Sequence, residues 1–536
     1  MRSSPEHVKF KAGKIRVADR HLAVVIPGIL LLVFLQCGHD PSVQNQAEND
    51  PSVLPVTLPE NGEALAHKYC QTCHLFPEPA LLDRKTWVEN VLPNMGSRLG
   101  IRTAGYDPVK EADPDERSFL RQLNVYPDKP LITKAEWLSM VEYYHQEAPQ
   151  KLPVPGTTTT ISSVPAPFAA SEIKIGEKEV PQVTLLKYDP DGRRLYVGDH
   201  LELYALDQKL NIKSSWQLQT PAVDMAHALE SLFVLGIGTF SPSDKQEGVF
   251  FPLLSADPVL ARNMIIEHLP RPVQFAIGDV NGDGRSDVVV CGFGNHQGKL
   301  AWYDGGSASA EHVLTTLPGA RKAVIQDLDG DGKPEIIALM AQAWEKLSIY
   351  HHQGGGVFKE ETALSFPPVY GVSYFELADF NRDGHPDVLL TNGDNWDYSP
   401  IDKPYHGIRI FMNDGQNRFK ESYFFPMYGC SEARALDFDQ DGDLDLVAIA
   451  FYNNLTTVSA RSFVYLENTG NQHFVGHYMP EAADGRWLTM DVGDFNQDGY
   501  TDVFLGSYFH NLAELTKSLQ TGITSFPQIM MLTFRK

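Results

Sequence analysis

Two groups of residues in this 536-residue chain have the types and spacing for chemistry. The first is Cys70-Gln71-Thr72-Cys73-His74. Two thiols one turn apart, followed at once by an imidazole, make the C-x-x-C-H spacing of c-type haem attachment. The thiols reach the two vinyl groups and the histidine meets the iron from below. A redox or zinc C-x-x-C pair is the alternative. Zinc wants a second ligand pair, and between Cys37 and Cys291 the only cysteines are Cys70 and Cys73. The second group is a nine-residue stretch written five times, first as DVNGDGRSD at 279–287. Places 1, 3, 5 and 9 are Asp279, Asn281, Asp283 and Asp287; Asp327, Asp329, Asp331 and Glu335; Asp379, Asn381, Asp383 and Asp387; Asp437, Asp439, Asp441 and Asp445; and Asp494, Asn496, Asp498 and Asp502. Hard oxygens at alternate places of a tight loop suit Ca²⁺, and a glycine at place 6 permits the turn. An EF-hand closes with Glu at its twelfth place; these copies close at the ninth. The bland alternative is an Asp/Gly turn with no metal.

Each group needs a different kind of element to hold it. ENGEALAHKYCQTCH reads as an amphipathic helix running into the two thiols, and KAEWLSMVEYYHQ as a closing helix packed on the first. Segment 57–150 is therefore expected to be a small all-α domain. On CQTCH it resembles a class I cytochrome c. That resemblance implies a methionine ligand from a loop between helices. Met95, in LPNMGSRLG after a proline and before a glycine, is the residue it points to. His67, His145 and an open position are the alternatives. Met140, Trp87, Trp137 and Tyr143 read as core.

The Asp loops are each followed by a β-rich run (VVVCGF, IIALM, VLLTN, LVAIA, VFLGSY), so they join strand to strand. Their period of about 50 residues marks an array of like units. They resemble FG-GAP/VCBS repeats, the blades of integrin-α-type β-propellers, in which the calcium loop joins the first two strands. Five blades run from 279 onward, and 168–278 has room for two more. One carries a degenerate loop at Lys187–Gly192, and the other has the strand rhythm of 223–240 without the acids. Seven blades close a ring, with QIMMLTF (528–534) and a strand within 158–176 as the latch. After each second strand a further loop falls, by strand polarity, on the face opposite the calcium loops. His296, Trp344, Trp396, Tyr452 and His510 lie there as a candidate ligand rim, with Trp396 in the longest insertion. The alternative for this rim is blade-to-blade padding. Arg321, Arg434 and Arg486 precede three calcium loops, either lining the central channel for an anion or offsetting the acids.

The remaining sequence bounds setting and partners. Net charge is −23, which argues against nucleic acid. Five Ca²⁺ would offset much of that charge. Residues 1–36 have basic residues followed by LAVVIPGILLLVFL, short for a membrane span and right for a signal peptide. Cys37 follows it directly and is a lipidation candidate; ordinary cleavage or an uncleaved anchor are the alternatives, and all three export the rest. Residues 37–56 read as a tether and 151–167 as a Pro/Thr-rich linker. Cys291 and Cys430 read as buried free thiols. The expectation is an exported, membrane-anchored c-type cytochrome fused to a calcium-stabilised seven-bladed propeller. Its haem exchanges electrons with a redox partner, and its propeller binds that partner or a small ligand. An oxidoreductase with its substrate on the rim, and an adhesion or glycan-binding protein, are the competing classes. No other cofactor motif is present, which favours an electron-transfer or binding protein over a stand-alone enzyme.

Overall fold

The computed structural model describes residues 61–102, 106–228, 230–255, 264–394, 398–452, 462–483, 485–520 and 526–535. The signal segment, the tether, Cys37 and Trp396 lie outside the described residues.

Helices come first. Gly62–Cys70 is capped by the Asn61 side chain, which accepts from Ala64 N. Lys134–Glu147 starts with a full capping box, Thr133 and Glu136 each taking the other's backbone N–H. These two helices cross closely because residue 62 is glycine: a Cβ there would lie 2.2 Å from the Ser139 carbonyl oxygen. Their core holds Ala66, Leu82, Trp87, Met140 and Tyr144, all essentially inaccessible. The two aromatic polar atoms are satisfied: Trp87 Nε1 donates to the Pro79 carbonyl at 2.8 Å and Tyr144 OH to the Pro77 carbonyl at 2.9 Å. Met140, Trp87 and Trp137 are core as expected.

Met95 is not in a loop. It sits in the helix Leu92–Arg98, which continues a π-helical turn at Trp87–Val91. The wide turn shifts the hydrogen-bond ladder just ahead of Pro93, which has no N–H to give. Gly96 is there for packing, since a Cβ would lie 2.8 Å from the Trp137 ring. Both residues that suggested a loop are thus accommodated inside a helix.

From residue 168 the chain forms seven four-stranded antiparallel blades, the seven-bladed propeller expected. In the third blade the strands are Pro272–Gly278, Asp287–Gly292, Lys299–Tyr303 and Glu311–Thr315. The five second strands that follow an Asp loop are buried along their whole length, which explains their unbroken apolar runs. The latch is Phe168–Ile173, paired antiparallel with Ile529–Phe534. Thr160–Ile161 adds a short parallel fifth strand to the sixth blade. Cys291 and Cys430 are buried free thiols in different blades. All seven first strands break register at one equivalent point, as between Pro272 and Gln274 or Ala320 and Lys322. A bulge at each point re-aims the residue that follows it.

Candidate functional site

The helical part sits on the propeller face opposite the Asp loops, and a cavity of ≈ 1060 Å³ lies between them. Cys70, Cys73, His74 and Met95 all line it from the helical side. The structure brings together the four residues that the sequence grouped, although Met95 arrives on a helix. His74 Nδ1 lies 2.7 Å from the Leu75 carbonyl oxygen, which can only accept. Nδ1 therefore carries the proton and Nε2 keeps its lone pair. Burial lowers the His74 pKa and favours this neutral form. Burial also pushes the Cys70 thiol up to about 11, and Tyr144 beside it pulls the other way. His67 stacks on Phe76 at 3.8 Å and bonds Gln71, while His145 sits beside Glu142 on the outer helix. Neither lines the cavity. The wall around the thiols is aromatic and aliphatic, with Tyr69, Trp87, Leu92 and Trp137.

The rim loops form the opposite wall and also dock the helices. Glu116 accepts from Asp244 N at 3.1 Å and from the Ser243 hydroxyl. Asp244 accepts from His296 N, and its other oxygen lies 2.7 Å from His296 Nδ1. Tyr126 OH lies 2.9 Å from His296 Nε2. Asp244 is buried, which raises its pKa, but the His296 bonds prevail and hold the carboxyl below its ordinary value. Tyr405 OH donates to the Leu81 carbonyl at 3.0 Å, and Val369, Tyr398 and Ile401 pack against the helical core. His296 is thus committed to the joint between the two parts. Trp344 packs partly buried against the core of the third and fourth blades while still lining the cavity. Tyr452 and His510 line it too. Glu116 and Asp244 were not legible beforehand: each is one acid among many, and only the docked geometry singles them out.

The cavity continues to the first strands around the propeller axis. Arg434 points into this region and pairs there with Glu432 at 2.8 Å, and with Glu376 and Asp491 at 3.8 Å. Its carboxylate partners are channel residues rather than the Asp loops. Arg321 also lines the cavity, its Nε donating to the Ser373 carbonyl. Arg486 is turned elsewhere, paired with Glu514 and lying over the Phe451 ring at 4.5 Å.

The five Asp loops repeat one geometry. The place-1 aspartate accepts from the place-6 glycine N–H, as from Gly284 to Asp279 at 2.8 Å. Those glycines have φ between 83 and 99°. Place 4 is also left-handed, even where it is Arg382, Gln440 or Gln497. The place-9 acids are buried and differ from the others in what they hold. Each accepts the place-2 N–H. In three copies the second oxygen accepts from the end of the third-strand hairpin, at Gly305, Asn413 and Asn468. These bonds fasten the loop to its blade, and Asp445 also brings an oxygen to the place-1 and place-3 carboxylates. Acidic oxygens converge within 4.8 Å in Asp327/Asp329/Asp331 and in Asp437/Asp439/Asp445. Among the described residues, Asp437 Oδ1 and Asp502 Oδ1 are buried without a donor, which is costly unless a cation meets them.

A family model matches on this face of the molecule. Residues 279–338, 327–390 and 437–505 match the FG-GAP-like repeat. Integrin alpha-7 of Homo sapiens is 24% identical over 285 residues, covering 49% of this chain and 24% of its own length. Cartilage acidic protein 1 of Mus musculus is 28% identical over 169 residues, covering 29% and 24%. The chain thus spans about a quarter of the length of these curated relatives. Among solved structures, the N-terminal domain of Nup159 is similar at 10% identity and a TM-score of 0.40, over 71% of this chain and 98% of that one. The Neurospora crassa Pan2 WD40 domain is similar at 10% and 0.40, over 70% and 100%.

Proposed function

We propose that this protein is an exported electron-transfer protein. In this reading Cys70 and Cys73 hold a c-type haem covalently, and the propeller face supplies the wall against which a partner or ligand is presented. The observation that carries the reading is the shared cavity: C-x-x-C-H and Met95 open on it from one side, the rim loops from the other. The donor set fits the group. A neutral imidazole with Nε2 free, two thiols three residues apart and a thioether on a neighbouring helix are the ligand types that c-type haem uses. When bound, haem supplies a one-electron couple. The protein's own part is to fix and shield. The Leu75 carbonyl orients the His74 ring, Trp87, Trp137 and Tyr69 wall the cavity beside the half-buried Cys70, and the Glu116–Asp244–His296–Tyr126 chain holds the rim against the helical part.

The same reading assigns Ca²⁺ to the five Asp loops, supported by the two donorless buried carboxylate oxygens and the FG-GAP-like match. Calcium there is a staple for each blade. Export and lipidation at Cys37 complete the proposal, and intact-mass analysis of membrane fractions tests them. The central experiment is expression with c-type maturation, followed by denaturing gel and reduced-minus-oxidised spectroscopy. Native protein should retain haem through denaturation. The Cys70→Ala/Cys73→Ala protein should retain none, and retention by that variant would sink the reading.

A further inference from the structure

One of the five Asp loops differs from the rest at its buried corner. By strand register, the residue facing place 9 from the third strand is Asp304, His351, Met412, Glu467 or Thr533 in turn. Only His351 brings a nitrogen donor. The same loop alone closes with Glu335 in place of aspartate. Glu335 is 3% exposed, and its Oε2 accepts from Leu328 N at 2.9 Å. In three sister loops a hairpin N–H takes the other oxygen. Here, among the described residues, no hydrogen bond reaches Oε1, and His351 Nδ1 stands 3.6 Å from it. That gap is too long for a hydrogen bond. It is close to the roughly 3.4 Å that separates two donors sharing one tetrahedral ion at bonds of about 2.1 Å.

Asp329 completes the group: one donor atom from each of Asp329, Glu335 and His351 lies within 4.8 Å of the others. Asp329 Oδ1 accepts from Asp331 N, which leaves Oδ2. The far side of the ring is prepared as well. His351 Nε2 is buried without a hydrogen bond, and Glu361 Oε2 lies 3.4 Å from it. A metal at Nδ1 leaves the ring proton on Nε2, aimed at Glu361, as ligating histidines commonly have it. Among the described residues no lysine or arginine pairs with Asp329, Glu335 or Glu361. Lys333 pairs with Asp331, and Lys359, across the ladder from His351, is exposed.

We propose that Asp329, Glu335 and His351 form a site for a zinc-class divalent ion, distinct from the all-acid group Asp327, Asp329 and Asp331, with which it shares Asp329. The class follows from the donors. Calcium takes oxygen ligands, whereas one imidazole with two carboxylates is a zinc set, short by one ligand that water supplies. Asp437, Asp439 and Asp445 converge in the sixth blade with oxygen in all three places. One nitrogen in place of one oxygen thus separates the two blades in metal preference. The inference goes beyond the calcium reading and needs neither it nor the haem.

The test is zinc titration of tag-free, full-length protein in millimolar calcium, with bound metal counted after dialysis. Native protein should take up one more zinc than His351→Gln. Cys70, Cys73 and His74 are alike in both, so metal that they take cancels in the difference. Glu361→Gln removes only the positioning carboxylate, on an exposed side chain, and should weaken that zinc about 10–100-fold. It should melt with the native protein in calcium alone, and Glu361→Asp should restore part of the affinity. Cobalt(II) in place of zinc should give native protein a four-coordinate d–d absorption that His351→Gln lacks. Equal zinc uptake by native protein and His351→Gln, or loss of the extra zinc as calcium is raised, would each overturn the proposal. If His351→Gln does not fold, Glu361→Gln decides: unchanged zinc affinity there overturns it too. Melting indifferent to EGTA would remove the calcium reading and leave this zinc count standing.

Discussion

The two faces of the propeller differ in a way that separates structure from function. On one face five loops repeat the same residues, the same left-handed turns and the same bond from place 9 to place 2. On the other, no two rim loops are alike, and they carry the helical part and the cavity. A feature repeated in every blade serves the blade. A feature found once, such as the Asp244–His296 joint, serves the whole molecule. The loops that announce themselves most loudly in the sequence thus fasten their own blades, and the cavity lies on the quiet face.

That contrast can be broken by experiment. Chelation should have the largest effect on stability, because it strikes all five staples. At about 1,000-fold calcium excess each saturated site contributes about 4 kcal/mol. EGTA should lower Tm steeply, and calcium-independent melting would erase the distinction between the faces. Asp437→Ala should remove one site's share and leave cavity-lining groups unmoved, as read by hydrogen exchange around Trp137. Next comes the joint on the other face. Glu116→Ala strands the Ser243 hydroxyl and Asp244 N–H, at a cost of about 1–3 kcal/mol. Hydrogen exchange should then speed in residues 237–247 and around Tyr126 while the Asp loops stay protected; uniform acceleration would show that the joint is part of the general scaffold.

The smallest effect expected is a pH slope. The folded protein holds the His74 pKa below its ordinary 6.5 through burial, so the unfolded chain binds the proton more readily. Stability of the haem-free helical part is therefore full above 6.5 and falls as pH drops below it. His74→Gln should flatten that slope between pH 7 and 5, by thermal melts across the range.

The propeller was legible because its signals are local and repeated. Asp-x-Asp/Asn-x-Asp-Gly followed by an apolar run dictates a tight turn and a buried second strand, and five copies in register set the blade period. C-x-x-C-H is equally local. Met95 was harder. Pro93 and Gly96 are loop residues by propensity, but a π turn and the Trp137 ring accommodate both in a helix. Where the helical part docks depends on shape complementarity and on single acids such as Glu116, neither of which leaves a pattern in one sequence.

The latch sets an order on assembly. The buried residues of the helical core lie between Ala66 and Ala148 and are made early, with Val369, Tyr398 and Ile401 packing on them later, whereas the ring cannot close until Ile529–Phe534 meets Phe168–Ile173. More than half of the chain must be synthesised between these two events. Throughout that interval Cys70, at the end of Gly62–Cys70, and Cys73, just beyond it, face an incomplete propeller. Any enzyme that must reach the two thiols has a period of open access, which ends when the last strand is delivered.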